Sequence, residues 1–430
     1  MRIEPVSALV GHVAVPGDKS ISHRAVLVGA LCEGETRVLG FGRSRDTEAT
    51  IAAVRLLGAE IDELDAESLV VRGCGVGGLS APDRPVDCAN AGTLMRLLAG
   101  ILAGQRGRVE LVGDESLSSR PMERVAEPLR RMGARVETTD GHAPLVIEGG
   151  PLVAISYELP VASAQIKSAV LLAGLSADGE TTVVEPIPTR DHTERMLERA
   201  GARVRRRPSS VSVERAERLE LGEVLVPGDV SSAAPLLAAA AIVPGSAVTV
   251  HGVGLNPRRT GFLDLLERMG ARLSIYNRRS LSGERAGDVE VRSSELVGTT
   301  VEAEDVPALV DELPLVALVA AHAHGDTVVR GAGELRVKES DRLEAVVEEL
   351  RRVGAHIRAT EDGFHVRGVP ARVRGGVVDS RGDHRIAMLG AIAGLASKEG
   401  VELRGAEVVD VSFPGFFDLL GQLRTTSRPT

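Results

Sequence analysis

Apolar positions along the chain follow two periods that take turns. Short runs in which Val, Leu and Thr alternate with charged or small residues follow a glycine: GETRVL, GRVELV, GETTVV, GSAVTV, GDTVVR and GVELRG, beginning at Gly34, Gly107, Gly179, Gly245, Gly325 and Gly400. A period of two predicts half-buried strands. Between these runs stand amphipathic stretches that close on glycine before the next β-rich run: LLGAEI, RMGARV, RAGARV, RMGARL and RVGAHI, with Gly58, Gly133, Gly201, Gly270 and Gly354. Gly421 sits where a sixth would fall. Glycine directly after a periodic run marks a helix end, because it takes the left-handed conformation without a Cβ clash. Each unit therefore reads strand, loop, helix, Gly, strand, and six such units make an α/β chain built from α+β repeats. The longest wholly apolar run, Ala233 to Val243, is about half the length that crosses a bilayer and reads as a buried helix.

A coarser repeat lies above this one, since VPGD occurs at Val15 to Asp18 and again at Val226 to Asp229. These are read as corresponding turns of two halves with three units each. A chain of 430 residues also exceeds what one core usually serves. The expected domains are 14–224, and 1–13 plus 225–430, with the first dozen residues pairing with the second half and a cleft between the halves.

Composition narrows the function. Aromatic residues make up 2% and Trp is absent, so stacking on nucleobases is not expected. A net charge of -9 argues against nucleic-acid and membrane surfaces, and makes a local cluster of cations more conspicuous. Cys32, Cys74 and Cys88 form neither a zinc spacing nor a disulfide framework, and the start MRIEPVSALVGHVAVPG has no signal-type apolar core. A cytoplasmic protein is expected. Among 51 basic side chains only Lys19, Lys167, Lys338 and Lys398 are lysines, so a lysine inside a motif carries information.

The loops between each recurring strand and the next helix read RSRDTEAT, LSSRPMER, PTRDHTER, NPRRTGF, RVKESDRL and VSFPGFF. Five of six place cations near a helix start, where unbonded N–H groups and the helix dipole also favour anions. The duplicated turn supplies an internal control. KSISHRA follows the first VPGD and the uncharged VSSAAPL follows the second, so the turn belongs to the fold while Lys19 and Arg24 belong to one half. VKESDRLEAV predicts Lys338 and Arg342 on one helical face, bracketing Glu339. Asp311 stands before an apolar helix, the usual place of an N-cap aspartate, and GDHRIAM puts His384 and Arg385 at another helix head. Gly73, Gly75 and Gly78 match G-x-G-x-x-G, but no helix pattern follows, and His322 with His324 lacks an acidic third ligand.

Taken in order, PGDKSISHR, NAGT, SSRPM, SAQIKSA, TRDHTERML, DELP, VKESDR, GDHRIAM and SFPGF resemble the EPSP synthase family, 3-phosphoshikimate 1-carboxyvinyltransferases, over essentially the whole chain. The resemblance implies two domains of three βαβαββ units in the inside-out barrel fold of enolpyruvyl transferases. It implies transfer of the enolpyruvyl group of phosphoenolpyruvate to the 5-hydroxyl of shikimate 3-phosphate, with no metal or organic cofactor. A monomer is expected. Carried over by motif, Lys19, Ser20, Arg24, Ser163, Ala164, Gln165, Arg190, Asp311 and Lys338 would hold shikimate 3-phosphate. Lys19, Gly92, Arg120, Gln165, Arg342 and Arg385 would hold phosphoenolpyruvate. Asp311, Glu339 and Lys19 would be catalytic. The chain departs from many relatives at Val411, where they carry a Lys. A related transferase acting on UDP-N-acetylglucosamine typically has a reactive Cys in the loop corresponding to Asp114 to Arg120, and none stands there. The other alternative, an anion-binding repeat protein without turnover, sits poorly with intact Lys19, Asp311 and Glu339.

Overall fold

A computed structural model describes residues 1–424. They form two compact units: Gly17–Val226 with Ser280–Glu284, and Met1–Pro16 with Pro227–Arg279 and the described residues from Arg285 onward. Each unit has its own apolar core.

In the unit starting at Gly17, three helices, Lys19–Ala30, Gly92–Ala103 and Ala164–Gly174, bury nearly every residue. In the other unit Val230–Ile242, Leu313–Ala321 and His384–Leu395 do the same, so the run Ala233 to Val243 is indeed a buried helix. These six helices lie inside and the sheets outside, which is the inside-out arrangement. With so few aromatic residues, the inner helices are lined by Ala, Gly, Leu and Val and can approach closely. A Cβ on Gly100 would lie 2.2 Å from the Ala169 carbonyl oxygen of the neighbouring inner helix. Backbone cannot yield as a side-chain tip does, so only glycine fits there.

Five of the recurring strands are the second in four-stranded sheets of one order: a parallel neighbour, the recurring strand, then an antiparallel hairpin. Glu35–Leu39, for example, pairs in parallel with Glu223–Leu225 and antiparallel with Ser68–Arg72, which pairs with Glu60–Glu63. Ala247–Gly254 takes its parallel neighbour from the N-terminus, Val10–Ala14. The five recurring glycines at helix ends all adopt positive φ, between 89° and 108°.

The sixth unit differs from the expected pattern. Val401–Arg404 is the middle of a three-stranded sheet, between Gly376–Asp379 and the N-terminal Arg2–Ile3. Gly421 ends no helix, since it lies inside Phe416–Leu423. The N-terminal strand supplies by long-range pairing what the last unit lacks locally.

The duplicated VPGD turns are helix caps. Asp18 accepts from Ile21 N–H at 2.9 Å and Asp229 from Ser231 N–H at 2.8 Å, each opening an inner helix. Among the described residues no helix is long and apolar enough to cross a membrane.

Candidate active site

In the unit starting at Gly17, the cap at Asp18 sets Lys19, Ser20 and Arg24 on the first turns of their helix. The Lys19 ammonium pairs with Asp46 at 2.6 Å and stays about a quarter exposed. Arg24 is buried: its Nε donates to Thr193 Oγ1 at 2.7 Å, Nη1 to the Ser20 carbonyl at 2.9 Å, and Nη2 to Ser168 Oγ at 3.1 Å. Burial drives His23 down to about 3, with Lys19 and Arg24 adding to the effect against Asp46 and Asp18. It is therefore uncharged at neutral pH, and Lys19 and Arg24 are the cations of this helix.

A second cationic group forms around the helix Gly92–Ala103, whose start has no side-chain cap. Arg96 donates to Gln165 Oε1 at 2.7 Å, and Gln165 Nε2 donates to Thr93 Oγ1 at 2.9 Å. Arg120, nearly buried, donates to Asn90 Oδ1 and to Ser116 Oγ. Gly92 lies against both guanidiniums: an added Cβ would stand 2.8 Å from Arg96 Nη1 and 3.2 Å from Arg120 Nη1. A buried glycine at an uncapped helix start, flanked by two arginines, is suited to an anion that must come close to backbone. Sequence reasoning found Gly92, Arg120 and Gln165 but passed over Arg96. The signal was available, since Arg96 is the single charge in GTLMRLLAGILA.

Ser163 caps the helix Ala164–Gly174, accepting from Ile166 N–H at 3.4 Å, and Ala164 and Gln165 form its first turn. Arg190 lies two residues before the helix His192–Arg199, half-buried. The Arg24 and Arg120 groups both belong to the unit starting at Gly17.

The other unit gathers carboxylates around one guanidinium. Arg342 is buried, donates from Nε to Asp383 at 2.9 Å, bonds Glu339, and has Nη1 3.9 Å from Asp311. Burial works against its charge, but Asp383 and Glu339 outweigh that and strengthen its hold on the proton. Lys338 goes the other way: burial lowers it from the ordinary lysine value, partly offset by Asp311. Lys338 and Arg342 do not share a helical face as the spacing predicted. Lys338 ends the 3-10 helix Gly333–Val337, while Asp341 caps the helix starting at Arg342 by accepting from Glu344 N–H. The cap starts the helix too late to include Lys338.

Asp311 is not an N-cap either. That position falls to Glu312, which makes no cap bond; its buried carboxyl accepts from Ser231 Oγ and lies 3.8 Å from Arg385 Nη1. Burial raises Glu312 above the usual carboxylate range, with Arg385 opposing. Arg385, whose N–H is bonded by the cap residue Asp383, also donates to the Ser231 carbonyl at 3.3 Å. Asp311 stands beside Arg342 and is half-buried. Where Lys19 stands in the first half, Val230 stands in the second, and Asp229 pairs with Arg259 at 3.1 Å. Val411 ends the 3-10 helix Ala406–Val411. Among the described residues no group of three or more His, Cys, Asp or Glu could hold a metal ion.

Three buried helices inside sheets, twice over, with arginine and lysine at helix starts, define an α/β enzyme of the enolpyruvyl-transferase fold. A solved structure titled as the enolpyruvyl transferase NikO from Streptomyces tendae shares that fold at TM-score 0.78 and 20% identity, over 100% of this chain and 99% of its own. The chain belongs to the EPSP synthase family: the family model for EPSP synthase (3-phosphoshikimate 1-carboxyvinyltransferase) matches residues 3–420. The 3-phosphoshikimate 1-carboxyvinyltransferase of Desulforudis audaxviator is 50% identical over 99% of both chains. An EPSP synthase structure from Acinetobacter baumannii has TM-score 0.87 and 42% identity, covering 99% of this chain and 98% of that one.

Proposed function

We propose that the side chains collected in the two units divide two anionic substrates between them, with roles that follow their chemistry. The chain transfers the enolpyruvyl group of phosphoenolpyruvate to shikimate 3-phosphate, as its family does. In the proposed reaction the 5-hydroxyl adds to C2 of phosphoenolpyruvate while C3 gains a proton, giving a tetrahedral intermediate. Phosphate then leaves as C3 gives up a proton, and the double bond returns.

Such a reaction needs a base, an acid and fixed positive charge. Asp311 takes the hydroxyl proton, and Glu339 supplies the proton to C3. The observation that carries this assignment is that Asp311 and Glu339 meet at one buried guanidinium, Arg342. Its charge orients both carboxylates without taking part in proton transfer. Arg24, Ser20, Ser163, Ala164, Gln165, Arg190, Asp311 and Lys338 hold shikimate 3-phosphate; Gly92, Arg120, Gln165, Arg342 and Arg385 hold phosphoenolpyruvate. Lys19 serves both. Arg96, tied to Gln165 beside Gly92, joins the phosphoenolpyruvate group.

The reading includes a monomer working in the cytoplasm, with no metal or organic cofactor. Purified protein in chelator-treated buffer should release phosphate only when both substrates are supplied. Release that persists without shikimate 3-phosphate, or that depends equally on UDP-N-acetylglucosamine, rejects it.

The contact at Gly92 gives a sharper test. Gly92→Ala should displace the Arg96 and Arg120 heads and raise KM for phosphoenolpyruvate by about ten- to a hundredfold, the size of effect that a misplaced binding group produces. KM for shikimate 3-phosphate should stay near the parent value. An unchanged KM for phosphoenolpyruvate would remove Gly92 from that site.

A further inference from the structure

We infer that Lys167 is a positioning residue for shikimate 3-phosphate, aiming Arg190 and Arg24 from beneath; this rests on the reading above that those two arginines hold that substrate. Lys167 is one of four lysines in the chain and is fully buried. Its ammonium lies 3.0 Å from Glu185 Oε1 and 2.6 Å from Glu194 Oε1. A buried ammonium with two carboxylates is a costly way to fill a core, and apolar side chains of similar volume commonly stabilise as well or better. What the set does is join elements distant in sequence.

Two links run from it to the substrate groups. The first is Thr189. Lys167 Nζ donates to its carbonyl at 3.4 Å, while its N–H donates to Glu185 Oε1 at 3.0 Å and its hydroxyl donates to the same oxygen. The turn from Glu185 to Thr189 is thereby closed on the ammonium, and the next residue is Arg190. The second link is between helices. The Lys167–Glu194 pair joins Ala164–Gly174 to His192–Arg199. The adjoining residues Ser168 and Thr193 meet at 2.7 Å, and both receive Arg24, at 3.1 and 2.7 Å. Arg96 and Arg120 are held by other partners, Gln165 and Pro121 for the one, Asn90 and Ser116 for the other. Lys167 should therefore act more strongly on shikimate 3-phosphate than on phosphoenolpyruvate, which it reaches only through Gln165 on its own helix.

Lys167→Met and Thr189→Val test this by the dissociation constant for shikimate 3-phosphate without phosphoenolpyruvate, both KM values, and thermal unfolding. Lys167→Met should weaken shikimate 3-phosphate about tenfold, the loss expected when one charge-assisted hydrogen bond is no longer aimed. Thr189→Val keeps the ammonium, both carboxylates and the two backbone bonds of residue 189, and removes only the hydroxyl bond to Glu185 that tightens the turn before Arg190, so it should weaken the same substrate about threefold. KM for phosphoenolpyruvate should stay within about twofold for both. Arg190→Gln is the reference. If it leaves shikimate 3-phosphate binding unchanged, the reading of Arg190 as a ligand fails. If it weakens binding while Lys167→Met and Thr189→Val do not, or if both KM values rise together, the positioning role is overturned. Should Lys167→Met not fold, Thr189→Val decides alone.

Discussion

Asp311→Asn should lower kcat by about a thousandfold, within the range that a positioned acid or base contributes, and leave the dissociation constant for shikimate 3-phosphate near that of the parent. Asparagine keeps the shape and one hydrogen-bonding oxygen but cannot accept the hydroxyl proton. The fold should not suffer, because the helix Leu313–Ala321 is not capped by Asp311 and because Arg342 keeps Glu339 and Asp383. A secondary effect is also expected. The Asp311 charge raises Lys338 against the larger lowering by burial. Without that charge Lys338 loses its proton at a lower pH, so binding of shikimate 3-phosphate should begin to weaken at a lower pH than in the parent. Single-turnover phosphate release, with shikimate 3-phosphate titrations across pH, reads both effects. A loss of kcat under tenfold would take the base role from Asp311.

Lys19→Met is expected to abolish measurable turnover, a loss of at least about a thousandfold, since fixed charge aimed at a developing anion is among the largest contributions in an active site. Affinity for both substrates should fall, which distinguishes Lys19 from Asp311. Some stability should also be lost, because Lys19 is partly exposed but its partner Asp46 is buried, and a buried carboxylate that loses a paired cation still bears the cost of its burial. The cap that starts the helix is Asp18, which remains. Circular dichroism and thermal unfolding check the fold, and steady-state phosphate release checks the activity. Near-normal turnover would remove Lys19 from the mechanism.

Lys19 and Lys167 contrast in how visible they were in the sequence. Lys19 could be singled out because the chain contains its own control: VPGD recurs with Val230 in the matching place, so the turn and the charge separate on inspection. Lys167 has no such control. It stands inside an apolar helix pattern, and Glu185 and Glu194, which give it meaning, come from a strand end and a different helix. Arg96 was missed for a related reason, since its partner Gln165 lies on another helix. Lys338 and Arg342 show the converse error. Four residues apart suggests one helical face, yet the Asp341 cap places a helix boundary between them.

The sequence by itself determined the repeat, the class of fold, five of the six helix-end glycines and the family, and it supplied most of the residues proposed for the substrates. All of these are written in local periodicity, in residues with special backbone preferences, or in short motifs. Only the tertiary structure decided which buried charges meet: Arg342 with Asp311, Glu339 and Asp383, Glu312 with Ser231 and Arg385, and Lys167 with two carboxylates. It also decided that the N-terminal strand completes the sixth sheet. Contacts between elements far apart in the chain leave no period to read, because each depends on how whole helices and sheets pack.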